Sequence, residues 1–501
     1  MEDNTGAKPA TFPALLELLS KLRLHEPPAP RPAAEPAPAE KPPAHGSPTL
    51  VVAPNGPADF RTIAEAVREA TAGARILVRP GRYEEGVLVS KDLEIVGDGP
   101  RQDIVIESFD FHCLVVQAAQ AVVRGLTLRS LGARKGNQRF AVEVLQGQLR
   151  LEECDLTSDT LAAISVRGPA AEPVIRGCRI HDGGSSGIVF WEGGRGTVED
   201  CDLAGNATAG VLIRTGGDPV IRGCRIRDGR MFGVMVEEQG RGTVEDCDIA
   251  GNAVAGVQLV SGGGAVVRRC RIRDGKKVGV LAVLEGTGTV EECEIEGNGI
   301  GVFLAEGGNP VVRRCRIHGG AQYGVSAQHG GRGLLEECDI AGFGLAGVHI
   351  TQGGNPVLRQ CRVHEGGQFG VQVSHGGVGT LEECEVFGHP EAEVMVSADG
   401  NPLIRRCRIH GSQKFGVSVQ NKGQGKILEC SVFGNAAAGV VINEGGDPVL
   451  RQCHINQNGA EGLRVHPRGL GTVEFCDLGG NAAGAWSLPP GCRLQRSGNR
   501  E

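Results

Sequence analysis

The chain has 501 residues, a formal net charge of −7 and a pI near 6.1. This charge balance argues against a nucleic acid or an anionic membrane surface as partner, and no apolar run approaches the length of a transmembrane helix. Aromatic residues make up only 4% of the chain, whereas glycine occurs 79 times, which suits tight corners around a narrow interior.

The first 48 residues are organised differently from the rest. Residues 11–24, TFPALLELLSKLRL, have an N-cap threonine, an early proline and leucines at helical spacing, and they predict a short amphipathic helix within a peptide that spans 1–24. Residues 25–48 are rich in proline and alanine and predict a stiff linker. We expect the helix to dock on the end of the β-helix that the later repeats predict, on a partner protein or on a second copy of the chain; a helix that docks on nothing is the alternative. Its docking face consists of Leu15, Leu16, Leu19 and Leu22.

A second helix is predicted at residues 62–72, TIAEAVREATA, directly before a first strand at Arg75–Val78. An open end of a β-solenoid exposes unpaired backbone groups. We therefore expect this helix to cap the N-terminal end of a body that spans 49–485, and residues 486–501 to form a C-terminal cap and tail.

Fifteen cysteines recur from Cys154 to Cys476 at intervals of 22 to 24 residues, and most intervals are 23. A fixed period of this size indicates a solenoid. Each repeat holds short β-rich runs with period-2 alternation, separated by glycine- and aspartate-rich corners. The sequence therefore predicts an all-β fold, a single-stranded right-handed parallel β-helix of about 17 coils.

The cysteines are predicted to stack inside the solenoid as free thiols. They include no Cys-x-x-Cys pair and no cluster with histidine at metal-ligand spacing, and no secretory leader is evident. We expect no disulfide, metal or cofactor, and a reducing cytoplasm as the compartment.

The coils alternate between basic and acidic types around the cysteine, as in Ile221–Ile226 (IRGCRI) and Glu199–Leu203 (EDCDL). On a parallel solenoid equivalent residues lie directly above one another, so arginine and carboxylate alternate along two outer rows. These charge ladders explain a two-coil period and resist slippage by one coil.

One further row stands directly before a corner, and no carboxylate partner is evident for it in the neighbouring coils. We expect it to lie on the surface and to be the best candidate for binding an extended anionic or polar ligand, or the acidic face of a protein; solvated turn residues are the alternative. The row consists of His181, Arg227, Arg273, His318, His364 and His410.

The opening of the body resembles pectin methylesterases and related pectin-lyase-like β-helix proteins. The resemblance rests on Asp59–Ile63 (DFRTI), Ile76–Tyr83 (ILVRPGRY) and Leu93–Gly99 (LEIVGDG). The cysteine-spaced coils are similar to the β-helix repeats of carbohydrate-binding proteins, sugar hydrolases and F-box-type proteins. The catalytic motifs of the enzymes are absent, and the nearest string, Phe109–Phe111 (FDF), lies too early.

Two function classes follow. The first is a non-catalytic cytoplasmic binding or scaffold protein that presents an extended surface to a protein or to a polymeric ligand such as a polysaccharide, with self-association through the N-terminal helix as a further option. The second is a carbohydrate-active enzyme of the pectin-lyase type, a lyase, hydrolase or esterase. Uniform coil length leaves little room for loop-borne catalytic residues, so the sequence favours the binding protein.

Overall fold

The chain forms an all-β parallel solenoid of about 19 turns with three parallel sheets. This computed structural model describes residues 48–109, 111–132 and 139–501, which fall into two compact units, 48–212 and 213–501. The predicted β-helix is confirmed. The expectation of about 17 coils is too low, since turns that lack a repeat cysteine precede Cys154 and a last one follows Cys476.

In the first unit each turn places one strand in each of three sheets. The strands of sheet 1 are Thr49–Val52, Arg75–Val78, Leu93–Gly97, Gln120–Arg124, Gln148–Glu152, Val174–Arg176 and Thr197–Glu199. The strands of sheet 2 are Gly81–Glu84, Ile104–Ser108, Thr127–Ser130, Asp155–Ser158, Arg179–His181 and Asp202–Ala204. The strands of sheet 3 are Val87–Val89, Leu114–Val116, Val142–Val144, Ile164–Arg167, Ile188–Trp191 and Ala209–Ile213, the last of which contains the boundary between the units.

The second unit repeats this order. Its sheet 1 strands are Val220–Arg222, Thr243–Glu245, Val266–Arg268, Thr289–Glu291, Val311–Arg313, Leu334–Glu336, Val357–Arg359, Thr380–Glu382, Leu403–Arg405, Lys426–Leu428, Val449–Arg451, Thr472–Glu474 and Gln495–Ser497. Its sheet 2 strands are Arg225–Arg227, Asp248–Ala250, Arg271–Arg273, Glu294–Glu296, Arg316–His318, Asp339–Ala341, Arg362–His364, Glu385–Phe387, Arg408–His410, Ser431–Phe433 and His454–Asn456. Its sheet 3 strands are Phe232–Val236, Ala255–Val260, Val278–Val283, Ile300–Leu304, Tyr323–Ala327, Ala346–Ile350, Phe369–Val373, Ala392–Val396, Phe415–Val419, Val440–Ile442, Leu463–Val465 and Trp486–Ser487.

One α-helix, Ile63–Glu69, occurs among the described residues, with a short 3-10 helix at Arg101–Asp103. The α-helix is shorter than the predicted 62–72. Its N-cap is Thr62, whose side chain accepts a hydrogen bond from the Glu65 amide. The Glu85 carboxylate accepts hydrogen bonds from the backbone amides of Ile63 and Ala64 at 2.9 and 2.8 Å. The helix packs on the strands Thr49–Val52, Arg75–Val78 and Val87–Val89, at the start of the first unit as predicted.

The repeat cysteines line the interior of both units, as predicted, and none is more than 3% exposed. All seventeen cysteines are free. Their sulfurs lie close to backbone carbonyls of their own turn and of the preceding one, as Cys338 does to Glu336 and Val312 at 3.4 and 3.5 Å. Hydrogen bonds with the neighbouring thiols, together with burial, raise the pKa of Cys178 in the first unit. The Cys178 thiol therefore stays protonated and packs as a small apolar group.

The charge ladders are present in the predicted register. In the second unit Glu382 is paired with Arg359 and Arg405 on adjacent strands of sheet 1. Its carboxylate lies 3.4 Å from Arg359, 2.7 Å from Arg405 and 3.2 Å from Arg406. The ladder is interrupted at Leu428, and Arg451 and Glu474 then form a separate pair at 2.6 Å.

Buried asparagine side chains connect the corners that follow the strands of sheet 2. Asn252 accepts a hydrogen bond from the Gly229 amide at 3.0 Å and donates to the Ile226 carbonyl at 3.4 Å. Asn298 does the same for its own neighbours. These bonds connect one turn to the next.

The C-terminal residues contain more regular structure than a cap and tail. Trp486–Ser487 pairs with Leu463–Val465, and Gln495–Ser497 pairs with Thr472–Glu474. The indole of Trp486 donates to Glu501 at 2.6 Å, and Arg496 lies over the ring. Residues 486–501 thus form part of a last turn, whose edge is left without a further strand among the described residues.

The ladder account predicts a difference between two charge reversals. Glu382→Arg brings a fourth guanidinium to a nearly buried carboxylate position, whereas Glu474→Arg removes one exposed pair, which is worth about 1 kcal/mol or less. We expect the melting temperature to fall at least about twice as far for Glu382→Arg, because its new charge is repelled by three neighbours. Thermal unfolding followed by circular dichroism measures both. Equal losses would contradict the account.

Candidate functional site

The row predicted to bind a ligand lies on the outer face of sheet 2. In the first unit His181 is paired with Ala204. In the second unit Arg227, Arg273, His318, His364 and His410 alternate with Ala250, Glu296, Ala341 and Phe387 on consecutive strands. The predicted register of the row is therefore confirmed.

The expectation that this row lacks carboxylate partners is wrong. Most of the side chains reach diagonally to the carboxylate of the preceding turn, two residues away along the neighbouring strand, which is within the reach of a long or aromatic side chain. The contacts are His181 to Asp155 at 2.9 Å, Arg273 to Asp248 at 2.8 Å, His318 to Glu294 at 3.4 Å, His364 to Asp339 at 3.1 Å and His410 to Glu385 at 3.1 Å, while Arg227 contacts Asp228 of its own turn at 2.9 Å. Ligand binding by the row stays a prediction, but the expected absence of carboxylate partners no longer supports it.

Part of the row is a continuous stack of rings. His364, Phe387, His410 and Phe433 follow one another with centroids 4.9, 5.2 and 4.8 Å apart and nearly parallel planes. Arg408 adds a guanidinium 5.7 Å from the Phe433 ring. Because the ring faces contact one another, they are not open to stack on a sugar. This part of the row stabilises the sheet surface.

Glu294, Glu296 and His318 form a cluster with ligand atoms within 4.8 Å of one another. Arg271 contacts both carboxylates, lying 3.6 Å from Glu294 and in direct contact with Glu296. A guanidinium at this position balances the acidic charge, so the arrangement is accounted for as an ion-pair network.

A groove that the sequence reasoning missed lies on the first unit, beside the early strands of sheet 3. Its volume is about 550 Å³, and its lining includes Leu88, Phe111, His112, Val115 and Arg139. Leu88 and Val115 are paired on adjacent strands, and their side chains face away from the core. The groove thus sits on the outer face of sheet 3, among turns that precede the cysteine repeat.

Large apolar side chains are exposed at this groove. Leu88 is 52% exposed, Phe111 67% and Phe109, two residues earlier, 38%. Exposed apolar clusters of this kind mark interaction surfaces more often than single exposed residues do. Asp110, between the two phenylalanines, lies outside the described residues.

His112 forms the polar end of the groove. Its Nδ1 atom accepts a hydrogen bond from the Phe140 amide at 3.0 Å, and its Nε2 atom lies 3.4 Å from the Glu143 carboxylate. The ring stacks on Phe140 at 5.4 Å. Burial lowers the pKa of His112 and Arg139 lowers it further, against the opposing effect of Glu143. The neutral imidazole then carries its proton on Nε2, so neither nitrogen offers a free lone pair.

Cys113 follows His112 but is not a nucleophile. Its side chain is fully buried, and its thiol donates to the Arg129 carbonyl at 3.0 Å. Burial raises the pKa of Cys113 to about 12, so the thiolate that nucleophilic attack requires does not form near neutral pH.

The sequence contained one signal for the groove. Phenylalanine is scarce in the chain, and Phe109 and Phe111 stand close together before the first repeat cysteine. The exposure of the two rings is a property of the fold, which the FDF string does not encode. The docking leucines Leu15, Leu16, Leu19 and Leu22 and the linker lie outside the described residues. In the part of the chain that is described, no helix is both long and apolar enough to cross a bilayer.

Comparisons with known proteins agree on the fold. The family model for the right-handed β-helix region matches residues 114–269, 255–401 and 390–489. A putative pectinesterase/pectinesterase inhibitor 22 from Arabidopsis thaliana is 27% identical over 174 residues, which is 31% of this chain and 31% of the relative. The chain therefore spans less than a third of that relative's length.

Two solved structures are similar to this chain only at low identity and low TM-score. The mannuronan C-5 epimerase AlgE6 A-module from Azotobacter vinelandii has a TM-score of 0.37 and 14% identity, covering 87% of this chain and 92% of that one. A pectin methylesterase from Aspergillus niger has a TM-score of 0.33 and 17% identity, covering 46% and 78%. Similarities this distant say nothing about activity.

The contacts of His181 predict a pH dependence of stability. Its hydrogen bond with Asp155, together with a second to Asp182, raises the pKa of His181 despite burial. The charged form is therefore favoured by folding. This contribution is complete below the unfolded pKa of about 6.5 and is lost as the pH rises through the higher folded value. The difference in urea midpoint between the natural chain and His181→Gln should shrink accordingly from pH 5 to 9.

His349 supplies a control of opposite sign. Burial, reinforced by His375, lowers the pKa of His349 to about 4. Protonation of this side chain therefore opposes folding, and the natural chain should lose stability relative to His349→Gln as the pH falls from about 6.5 toward that value. Parallel profiles for the two variants would refute the assignment for His181.

Proposed function

Since the chain belongs to the right-handed β-helix family, we propose that it is a non-catalytic binding protein whose groove on the first unit receives an apolar segment of a protein partner. The family carries both enzymes and binding scaffolds, so the fold alone does not decide the function. The groove is what favours binding.

One observation carries this proposal, the exposure of Leu88 and Phe111 at a single groove, with Phe109 also exposed two residues before Phe111. Burying an apolar side chain against a partner gains about 25 cal/mol per Å², and exposed aromatic residues are frequent anchors of protein interfaces. A groove of about 550 Å³ suits a few side chains of a peptide better than an extended polymer.

The chemistry of the groove supports binding over catalysis. The two ring nitrogens of His112 are engaged by Phe140 and Glu143, so the imidazole would have to give up a contact before it could act as a base. Glu143 is the carboxylate that this histidine faces, whereas glycoside hydrolysis uses two carboxylates across the scissile bond. The polar end of the groove therefore serves to orient a partner.

The proposal includes a reducing compartment, the cytoplasm. Its support is the set of seventeen free thiols, because disulfides rather than thiols accumulate in oxidising compartments. A metal or cofactor has no part in the proposal, which depends on apolar contact and hydrogen bonding alone.

The proposal is tested with the full chain as bait. Phe111→Ser removes an exposed ring from the groove, and Phe475→Ser removes an exposed ring of similar accessibility from the second unit. We expect a protein captured by the natural chain to be retained by Phe475→Ser and lost, at least about tenfold, with Phe111→Ser, because a central aromatic anchor contributes 1.4 kcal/mol or more. Quantitative mass spectrometry followed by calorimetry with the purified partner measures this. Equal capture by both variants would contradict the proposal.

A carbohydrate-active enzyme is the second candidate, favoured by the similarity to a pectinesterase over 174 residues and by the pairing of His112 with Glu143. If the protein is non-catalytic, methyl-esterified pectin incubated with the full chain should release no methanol above the level of a heat-treated sample. Methanol release that is abolished by Glu143→Gln but kept in Phe475→Ser would establish the enzyme and overturn the binding proposal.

A further inference from the structure

The backbone that carries Phe111 into the groove of the first unit is held by both neighbouring turns. From the preceding turn, Gly86 lies so close that a Cβ atom added to it would stand 3.0 Å from Phe111 Cβ and 2.9 Å from the His112 carbonyl oxygen. From the following turn, the Phe140 amide donates a hydrogen bond to His112 Nδ1 at 3.0 Å. The position of the exposed Phe111 ring therefore depends on the contact between His112 and Phe140.

This contact requires a neutral imidazole. Because the Phe140 amide donates to Nδ1, that nitrogen presents its lone pair and the ring proton is on Nε2. The Nε2 atom lies 3.4 Å from the Glu143 carboxylate. A protonated imidazole carries a hydrogen on both nitrogens, so its Nδ1–H would point at the N–H of Phe140. Protonation of His112 is thus incompatible with the first contact, whereas the second is kept and becomes an ion pair.

The charged groups that act on His112 come from the following turn. Burial of the ring and the cation of Arg139 lower the pKa of His112, and the carboxylate of Glu143 opposes them. Glu143 also interacts with Arg167, one turn further on. The preceding turn meets this part of the chain at Gly86, which does not titrate. A protonated His112 therefore faces one cation and one anion.

We propose that protonation of His112 releases the backbone around Phe111 and removes the groove, so that acidification dissociates the apolar segment that the groove binds at neutral pH. The proposal rests on the function proposed above, because it concerns the regulation of the same site. Once the ring is charged, the Phe140 amide loses its acceptor, and the ring turns from Arg139 toward Glu143. Histidine is the side chain whose charge ordinarily changes between about pH 5 and 8, and its protonation at an interface is a recurrent switch.

The direction of the response follows from the lowered pKa of His112. Since the fold disfavours the charged ring, the arrangement around the groove is complete above the pH at which an unfolded histidine titrates, about 6.5. It is lost as the pH falls through the lower folded value. The groove is therefore intact at pH 7.5 and is removed on the acid side.

Hydrogen exchange of the natural full chain tests the movement without any ligand. Mass spectrometry with fragmentation to single residues follows the amide of Phe140, which His112 protects. We expect its protection factor to fall at least about tenfold between pH 7.5 and 4.5. The Leu114 amide, which donates to the Ala141 carbonyl at 3.0 Å, should keep its protection. Constant protection of Phe140, or equal losses at both amides, would overturn the proposal.

The variant His112→Asn separates this histidine from other titrating groups. Its side-chain oxygen offers an acceptor to the Phe140 amide but does not titrate in this range. We therefore expect the protection of Phe140 in this variant to be independent of pH. A fall equal to that of the natural chain would assign the response to another group and overturn the role of His112.

Binding is followed with the apolar dye bis-ANS as the probe. At pH 7.5 the natural chain should bind more dye than Phe111→Ser, and this difference should fall severalfold by pH 4.5 with unchanged far-UV circular dichroism. The ratio of the signals at the two pH values should be near one for His112→Asn, whatever its level. His349→Gln, which alters a histidine of the second unit, should follow the natural chain.

Two outcomes separate this proposal from the function on which it rests. If the dye difference persists at pH 4.5 while the Phe140 amide loses its protection, the groove binds but His112 does not regulate it, and the proposal is overturned. If Phe111→Ser binds as much dye as the natural chain at pH 7.5, the proposed function itself is overturned. The exchange of the Phe140 amide then still reports whether protonation of His112 breaks the contact.

Discussion

Stacking of parallel turns in register is the constraint on which the rest of this structure depends. Each residue lies about 4.8 Å from its equivalents in the turns before and after. The size and charge of a side chain must therefore be compatible with those of the equivalent side chains in both adjacent turns. Identical apolar groups can be stacked without penalty, as the cysteines are. Identical charges cannot, and arginine therefore alternates with glutamate along sheet 1, as at Arg359, Glu382 and Arg405. The two-turn period follows from this electrostatic condition.

The same constraint holds strained backbone in place. The residue before each repeat cysteine has a positive φ, including non-glycine residues such as Asp246, Arg269 and Glu337 at 54, 51 and 53°. A left-handed conformation costs such residues roughly 1–2 kcal/mol, but the hydrogen bonds between successive turns fix the chain on both sides. Where a corner that follows sheet 2 lacks the asparagine, another side chain occupies its position. His389 takes the corner position and bonds a fully buried Glu393 that stands where other turns have glycine.

The sequence predicted the fold well because the fold repeats. Period, inward cysteines, ladders and register all follow from a pattern seen many times along the chain. It predicted the site poorly for the same reason. The diagonal contact from His364 to Asp339 joins two different rows, and a comparison along single rows does not detect it. The groove depends on Phe111 and His112, which occur in turns without the period. Neither is encoded as a repeat.

The alternation of the ladders limits how such a chain can change in length. A single turn inserted or lost between Arg222 and Arg405 would place two arginines or two carboxylates in contact on both ladder rows. An addition of two turns restores every contact. The smallest neutral unit of growth is therefore a pair of turns, about 46 residues, and relatives of this protein that differ in length within the repeat should differ by even numbers of turns.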